Sequence, residues 1–303
     1  MRGTELTQFL DGLTQRIELY INSADNTDHK TVDYLTPSSR GQSTDLSLPL
    51  EGNGSQSILD DIDEFLRQCV RTNRPEFMNP LWGGLNVAGF AGEVIAALTN
   101  QSMYTYELSP IATLIEQAIV KRMMEIVGYA EGFGTLTTGG SNGNMMGMLC
   151  ARQASHPMSS ITGFDGSKYV AFVSAEAHYS VLMSANVVGI GYQNLVKVAC
   201  DSRGRMKPES LVEEIVRART NGQTPFCIIA TSGTTVRGAF DPLKEIANIA
   251  HDNNIWLHVD AAWGGSSLFS KRFRKLMDGV ELADSVCSVS YTHLRAHETK
   301  SYR

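Results

Sequence analysis

Three polar residues that could take part in chemistry each follow an apolar segment of the chain. His178 comes after "YVAFVSAEA", Thr231 directly after "FCIIA", and Asp260 directly after "IWLHV". A buried carboxylate needs a cation or strong hydrogen-bond donors beside it. Taken singly, His178 is better explained as a satisfied core histidine and Thr231 as part of a turn, and Asp260 could be a helix cap. Their shared position, each at the end of an apolar segment, favours one common site.

A glycine-rich loop, "TTGGSNGN", supplies a fourth candidate. Gly139 and Gly140 precede Ser141 and Asn142, and a helical apolar pattern follows. Glycines let the backbone approach an anion, and the N–H groups of a helix N-terminus face it, so this loop suits a phosphate. Its spacing differs from the G-x-G-x-x-G fingerprint of dinucleotide sites. On its own, the loop is explained equally well as an ordinary turn.

A single ligand satisfies all four features. It carries a phosphate for the loop, a ring on which His178 stacks, and a cationic ring nitrogen opposite Asp260. Pyridoxal 5'-phosphate (PLP) has these groups, and a carboxylate that keeps its ring nitrogen protonated makes the ring an electron sink. The cation in turn favours the ionised carboxylate. Small residues that leave room for the ring follow directly, namely Ala261, Ala262, Gly264 and Gly265.

The segments that must position these residues alternate between strand and helix patterns. Strands are predicted in "KYVAFVSAEAH", "NLVKVACD", "PFCIIATSGTT" and "IWLHVDAAWGG", and helices in "PIATLIEQAIVKRMMEIV", "ESLVEEIVRART" and "DPLKEIANIAHDN", the last with Asp241 as its N-cap. Fully apolar strands separated by helices predict an α/β fold, with a mostly parallel sheet covered by helices on both faces. Ligands of such sheets bind at the carboxyl ends of the strands.

Composition excludes several other classes of protein. The 303 residues are 42% hydrophobic and 19% charged, which is typical of a globular protein. The net charge of -6 argues against a nucleic-acid or membrane partner. There is no apolar run long enough for a bilayer and no secretory signal pattern. Five scattered cysteines without a CxxC pair predict free thiols, no metal site and a cytoplasmic protein.

Three parts of the chain are expected. Residues 1–56 contain a Ser-, Thr-, Asn- and Gly-rich stretch from 22 to 57, and are predicted to form an N-terminal arm or linker. Residues 57–287 are predicted to form the large cofactor-binding domain. Residues 288–303 are predicted to be a tail that is not native to the protein.

Several collinear stretches between residues 74 and 286 carry a specific family resemblance. They are "RPEFMNPLWGGLN", "YTYELSPIATLIEQAIVKRM", "TTGGSNGN", "SAEAHYSV", "CDSRGRMKPESL", "ATSGTTVRGAFDPL" and "HVDAAWGGSSLFSKRFRKLMDGVELADSV". Through them the chain resembles the group II PLP-dependent amino-acid decarboxylases, in particular the glutamate and cysteine-sulfinate branch. The resemblance implies the type I fold of PLP-dependent transferases (aspartate-aminotransferase-like), incomplete at the C-terminus, and a homodimer with active sites at the subunit interface.

The resemblance also implies roles for individual residues. His178 and Asp260 are the implied catalytic residues: His178 stacks on the cofactor ring and helps to position the substrate carboxylate, while Asp260 pairs with the ring nitrogen. The implied cofactor-binding set is Gly140, Ser141, Asn142, His178, Thr231, Asp260 and Ala262. Within it, Ser141 and Asn142 hold the phosphate, Thr231 lies near the ring substituents, and Ala262 packs on the ring face opposite His178.

The implied reaction removes the α-carboxylate of an amino acid as carbon dioxide and leaves the amine. Glutamate, aspartate or cysteine sulfinate is the favoured substrate class. Asn79 is the implied substrate-binding residue, but Pro80 follows it where acidic-substrate members are expected to have glutamine, which weakens the case for glutamate itself. Two alternatives stay open: another type I enzyme, such as an aminotransferase or aldolase-like lyase, or a non-catalytic PLP-binding or dimerisation protein.

The end of the chain departs from the family pattern. The family's Schiff-base lysine is expected at position 292, where this chain has Thr292, and Lys300 is too far along to replace it. The eleven residues 289–299, "VSYTHLRAHET", look like the translation of a transposon-end adapter used in sequencing libraries. The alternatives are a disordered basic tail, or a metal site formed by His293, His297 and Glu298. Lacking the lysine, the chain is expected to be inactive.

Overall fold

The structure is a computed structural model that describes residues 3–26, 28, 30–79, 84–163 and 168–289. The chain divides into two compact units, of which the first reaches from the N-terminus to Glu93 and the second begins at Val94. The division into residues 1–56, 57–287 and 288–303 stays a prediction. Pro80, Thr292, His293, His297, Glu298 and Lys300 lie outside the described residues.

The first unit is helical. It contains α1 (Gly3–Asn22), a 3-10 helix (Ser23–Asp25), α2 (Pro37–Ser43) and α3 (Gly54–Gln68), and α4 (Val87–Thr99) continues from it into the second unit. Arg16 on α1 bonds the carbonyl oxygen of Leu59 over 3.1 Å and pairs with Asp63 over 2.7 Å, which joins α1 to α3.

The short helix α2 lies inside the stretch that sequence predicted to be irregular, so that prediction was wrong for its seven residues. Pro37 occupies the first turn, and the side chain of Thr36 accepts a hydrogen bond from the backbone N–H of Ser39. Both features start helices, and they outweigh the local abundance of serine and glycine.

The second unit alternates strands and helices. Its helices are α5 (Pro110–Val127), α6 (Gly140–Ser155), α7 (Ser159–Thr162), α8 (Ser180–Val187), α9 (Pro208–Thr220) and α10 (Leu243–Asn253). Its strands are β1 (Tyr169–Ser174), β2 (Leu195–Val198), β3 (Thr224–Thr231), β4 (Trp256–Ala261) and β5 (Ser285–Ser288). Four 3-10 helices lie between them, at Tyr192–Asn194, Gly264–Phe269, Arg274–Met277 and Val280–Leu282.

The five strands form one sheet in the order β2-β1-β3-β4-β5, and every neighbouring pair is parallel. The prediction of an α/β fold with a mostly parallel sheet is confirmed. Two separate clusters of buried apolar side chains contain residues of the sheet, as expected for strands covered on both sides. The register places Thr231 beside Asp260 and Asp260 beside Cys287, so the ends of β3, β4 and β5 meet.

The observed ends of α5 and α10 can be compared with the ends that the sequence predicted. The predicted helix over Pro110–Val127 is confirmed, and it ends at Gly128, whose φ of 107° is the left-handed value that favours glycine. The prediction that Asp241 caps α10 was wrong, because Pro242 holds that position. Asp241 instead accepts hydrogen bonds from the backbone N–H groups of Thr231 (2.7 Å) and Met206 (2.6 Å).

All five cysteines are free thiols. In the part of the chain that the structure describes, none of the helices has the length and apolar character needed to cross a membrane.

Helix α6 packs so tightly on β4 that one methyl group is expected to destabilise the protein. A Cβ added at Gly147 would lie 2.3 Å from Nδ1 of the buried His258 ring. Overpacking of this kind costs about 1–3 kcal/mol, and we expect Gly147→Ala to lower the free energy of unfolding by that amount. Chemical denaturation measures it.

Gly92→Ala is the matched control. Gly92 lies in α4 with open space around its Cβ position. Alanine is a better helix former than glycine by up to about 1 kcal/mol, so this variant should gain stability. Equal stability of the Gly147→Ala variant and the unaltered chain would contradict the packing of α6 on β4.

Candidate active site

Asp260 lies at the carboxyl end of β4 with only 4% of its surface exposed. Its Oδ1 accepts a hydrogen bond from the backbone N–H of Ala262 (3.1 Å), and its Oδ2 accepts one from Nδ2 of Asn144 (2.8 Å). Burial raises the pKa of Asp260, while these two bonds and the charge of His178 act in the opposite direction. A cation beside the carboxylate would offset the cost of burying its charge.

The end of β3 offers two unused hydroxyl groups. Oγ1 of Thr231 and Oγ of Ser232 are buried, and neither has a hydrogen-bond partner among the described residues. The backbone N–H of Ser232 donates to the carbonyl oxygen of Asp260 over 2.8 Å, which places these hydroxyls next to β4. Buried hydroxyls without partners are costly. A bound molecule with polar substituents would satisfy them.

The N-terminus of α6 comes close to the same strand ends. Gly139 precedes the helix with a φ of 146°, which L side chains rarely adopt. A Cβ at Gly140 would lie 3.0 Å from side-chain atoms of both Ala262 and Val289. Glycine therefore lets the first turn of a 16-residue helix approach the end of β4. The backbone N–H groups of Asn142 and Gly143 donate to the carbonyl oxygen of Gly139, which closes this turn. The dipole and the first N–H groups of the helix suit an anion.

His178 follows β1 and is half-buried. Its Nδ1 accepts a hydrogen bond from the backbone N–H of Ser180 (3.2 Å), and its ring lies 4.2 Å from that of Tyr179. The hydroxyl oxygen of Ser180 accepts from Asn144, the residue that also binds Asp260. Through these contacts the start of α8 joins the site.

The structure thus gathers predicted site residues from four elements at one edge of the sheet. Gly140, Thr231, His178, Ala262 and Asp260 are linked by the contacts above. Ser141 and Asn142 lie in the first turn of α6, Ser141 exposed and Asn142 half-buried. Asn79 belongs to the first unit. The roles assigned to all of these residues remain predictions.

Sequence reasoning missed Asn144, His258 and Ser285, which contact Asp260 directly or through one another. One signal was available for His258. It precedes Asp260 by two residues, and residues at that spacing in a strand point to the same face of the sheet. The spacing of Asn144 and Ser285 carries no such signal, because their positions depend on how α6 and β5 pack against β4.

Asp241 is a second buried carboxylate beside the site, and it predicts a pH dependence of stability. Burial raises its pKa to about 6 from the ordinary 3.8, against the two backbone hydrogen bonds that it accepts. The folded chain therefore holds this proton more tightly than the unfolded chain does. The resulting stabilisation is present below about pH 4 and is lost as the pH rises through about 6.

We expect this loss to reach about 3 kcal/mol relative to an Asp241→Asn variant. Urea unfolding across that pH range measures it. Asp252→Asn is the control, since 78% of the Asp252 side chain is exposed. Parallel stability curves for the unaltered chain and the Asp241→Asn variant would show that Asp241 keeps an ordinary pKa.

The fold and the site together define a class of protein. A parallel sheet whose carboxyl edge joins a buried aspartate, a half-buried histidine and a glycine-led helix N-terminus is an arrangement that fits PLP. Residues 37–297 match the pyridoxal-dependent decarboxylase conserved domain. The chain belongs to the pyridoxal-dependent decarboxylase family, and its predicted resemblance to the group II decarboxylases is confirmed.

Two curated relatives show which decarboxylases of the family this chain is similar to. The chain is 41% identical to the acidic amino acid decarboxylase GADL1 of Mus musculus over 271 residues, which are 89% of this chain and 49% of that protein. It is 40% identical to cysteine sulfinic acid decarboxylase of Mus musculus over 258 residues, which are 85% of this chain and 52% of that protein. The chain therefore spans about half the length of the curated relatives it matches.

Solved structures share the fold. The crystal structure of mouse CSAD in apo form matches with a TM-score of 0.94 and 35% identity, covering 98% of this chain and 63% of that one. Oryza sativa TDC with PLP and tryptamine matches with a TM-score of 0.87 and 21% identity, covering 97% and 65%. The predicted type I fold of PLP-dependent enzymes is confirmed.

Proposed function

We propose that the protein from which this chain comes is a PLP-dependent carboxy-lyase, which converts an acidic L-amino acid to its amine and carbon dioxide. The observation that carries the proposal is Asp260, a buried carboxylate with two hydrogen-bond donors, which lies beside the buried hydroxyls of Thr231 and Ser232 that have no partner among the described residues. When bound, PLP supplies a protonated ring that takes up the electrons left behind as carbon dioxide departs.

Different residues of the chain hold different parts of this cofactor. Asp260 keeps a proton on the ring nitrogen through its negative charge. The first turn of α6, with Gly140, Ser141 and Asn142, holds the phosphate. His178 would cover one face of the ring and orient the carboxylate that leaves, while Ala262 would cover the other face. Thr231, whose hydroxyl has no partner among the described residues, donates to the ring substituents.

Similarity supports the substrate class. The names of the relatives that are 40% and 41% identical describe them as decarboxylases of acidic amino acids and of cysteine sulfinic acid. Both kinds of substrate carry a second negative group beyond the α-carboxylate. We therefore expect glutamate, aspartate or cysteine sulfinate to be the substrate, with Asn79 among the residues that bind it.

A homodimer is part of the proposal. Several large apolar side chains at the end of α4 and along α5 are exposed, namely Ile95, Leu98, Ile111, Leu114, Ile115 and Ile119. Exposed apolar side chains in this number suit a protein–protein contact. A second copy of the chain is the proposed partner, as the family resemblance implies.

The assay must use the reading frame that the source DNA encodes. We propose sequencing that DNA through the codons for residues 286–303, expressing the protein found, and incubating it with PLP and single amino acids. Carbon dioxide and the amine from glutamate, aspartate or cysteine sulfinate, and none from tryptophan, is the expected result. A keto acid product would favour an aminotransferase. Binding of PLP without any product would favour a non-catalytic protein.

A further inference from the structure

A buried network of hydrogen-bonded side chains leads to the carboxylate of Asp260. Asn144 donates from Nδ2 to Asp260 Oδ2 (2.8 Å) and to Ser180 Oγ (3.1 Å). Its Oδ1 lies 3.1 Å from Nε2 of His258. Nδ1 of His258 lies 2.8 Å from Oγ of Ser285 on β5. Two strands, β4 and β5, and two helices, α6 and α8, are thus connected through side chains alone.

The chemistry of each group fixes the direction of each bond. An ionised Asp260 only accepts, so Asn144 must turn its NH₂ group toward it and its oxygen toward His258. That oxygen also only accepts, so Nε2 of His258 carries the proton. Nδ1 of the neutral ring then accepts from the hydroxyl of Ser285, whose oxygen in turn accepts from Nε1 of Trp256 (2.8 Å). The donors of Trp256, Ser285, His258 and Asn144 thus point in sequence toward Asp260, and Asn144 donates in addition to Ser180.

Tight packing holds the side chains of this hydrogen-bond network in place. His258 and Asn144 are almost completely buried. Burial lowers the pKa of His258 to about 4, which keeps the ring neutral. The backbone of Gly147 covers the ring so closely that a Cβ there would lie 2.3 Å from Nδ1 and 2.4 Å from Cε1. Glycine at position 147 therefore lets α6 lie directly against this imidazole.

We propose that His258 and Ser285 are positioning residues, which fix the amide of Asn144 and through it the orientation of the Asp260 carboxylate toward the cofactor ring nitrogen. Neither residue needs to touch the cofactor. Supporting hydrogen bonds of this kind preorganise a site before its ligand arrives. The inference rests on the proposed function and adds to it the residues that hold the key carboxylate in place.

The tautomer of His258 tests the directions of the bonds without any cofactor. The full chain, labelled with ¹⁵N at its histidine rings, would be compared by NMR with a His258→Gln variant, which identifies the His258 signals by their loss. We expect a neutral ring protonated at Nε2 at neutral pH. A ring protonated at Nδ1, or doubly protonated, would overturn the proposal.

Variants of Ser285 test the effect on the cofactor. Ser285→Ala removes the donor to Nδ1 of His258 and so loosens the ring, and we expect a shifted ¹⁵N signal of Nδ1 and a PLP affinity about 3- to 10-fold weaker. Ser285→Thr keeps the hydroxyl and should restore both properties. Ser184→Ala is the matched control, because Ser184 is also buried but donates to the backbone of its own helix α8.

The outcomes separate this inference from the proposed function. Failure of the unaltered chain to bind PLP would overturn both. If the chain binds PLP but Ser285→Ala and Ser184→Ala have the same affinity and the same His258 spectrum, only the positioning role is overturned. Weaker binding in Ser285→Ala alone, with recovery in Ser285→Thr, supports it.

Discussion

Replacing Asp260 with asparagine is expected to weaken the binding of PLP to this chain by about 100-fold or more. Removing one partner of a buried charge pair costs about 3–5 kcal/mol, and each 1.4 kcal/mol is a tenfold change in affinity. Asparagine has nearly the same shape as aspartate, so the loss reports the charge and not the volume. Titration of the chain with PLP, followed by absorbance, measures the two dissociation constants.

The stability of the cofactor-free variant should not fall in parallel. Burial raises the pKa of Asp260, which means that the folded chain bears a cost for the charge at neutral pH. Asparagine removes this cost, but its NH₂ group cannot accept one of the two hydrogen bonds that Asp260 accepts. The two effects oppose each other, and we expect the free energy of unfolding at pH 7 to stay within about 1 kcal/mol of the unaltered value. Asp252→Asn, at an exposed position, should change neither quantity. Equal PLP affinity of the Asp260→Asn and Asp252→Asn variants would place the cofactor away from Asp260.

The 303-residue chain is expected to bind PLP without forming a covalent bond to it, and to release carbon dioxide from acidic amino acids only at the uncatalysed rate. Position 292, where the family's lysine is expected, holds Thr292. Without that amine the chain lacks the group that receives the cofactor and passes it to the substrate. Since enzymes commonly accelerate reactions by roughly a millionfold or more, the difference from an enzyme that has this lysine should be unmistakable.

Borohydride reduction followed by mass spectrometry of peptides tests this point. Exposed lysines react with PLP without any site, so only an adduct that disappears in the Asp260→Asn variant counts as specific. We expect none in this chain, and a specific adduct in a protein whose source DNA encodes the lysine at this position. A specific adduct on Lys300 of this chain would contradict the prediction.

The sheet and its edge were predictable because their signals are local. Apolar strands separated by amphipathic helices leave few arrangements other than a parallel sheet, and the parallel sheet brings His178, Thr231 and Asp260 to one edge. Pro110 and the glycine at position 128 likewise fixed the ends of α5 by their own backbone preferences.

The side chains that form hydrogen bonds to Asp260 were not predictable, because their positions depend on packing between distant segments. Asn144 and Asp260 are separated by 116 positions, and their hydrogen bond exists only because α6 lies against β4. Asp241 illustrates the same limit. Its position before Pro242 is typical of a helix cap, yet the approach of β3 and of Met206 offers its carboxylate two other donors.

A crystal structure of this chain with PLP tests the central claim most directly. The account predicts the ring nitrogen within hydrogen-bond distance of Asp260, the phosphate at the first turn of α6, and His178 and Ala262 on opposite faces of the ring. PLP bound at another place, or no PLP bound at saturating concentration, would contradict it.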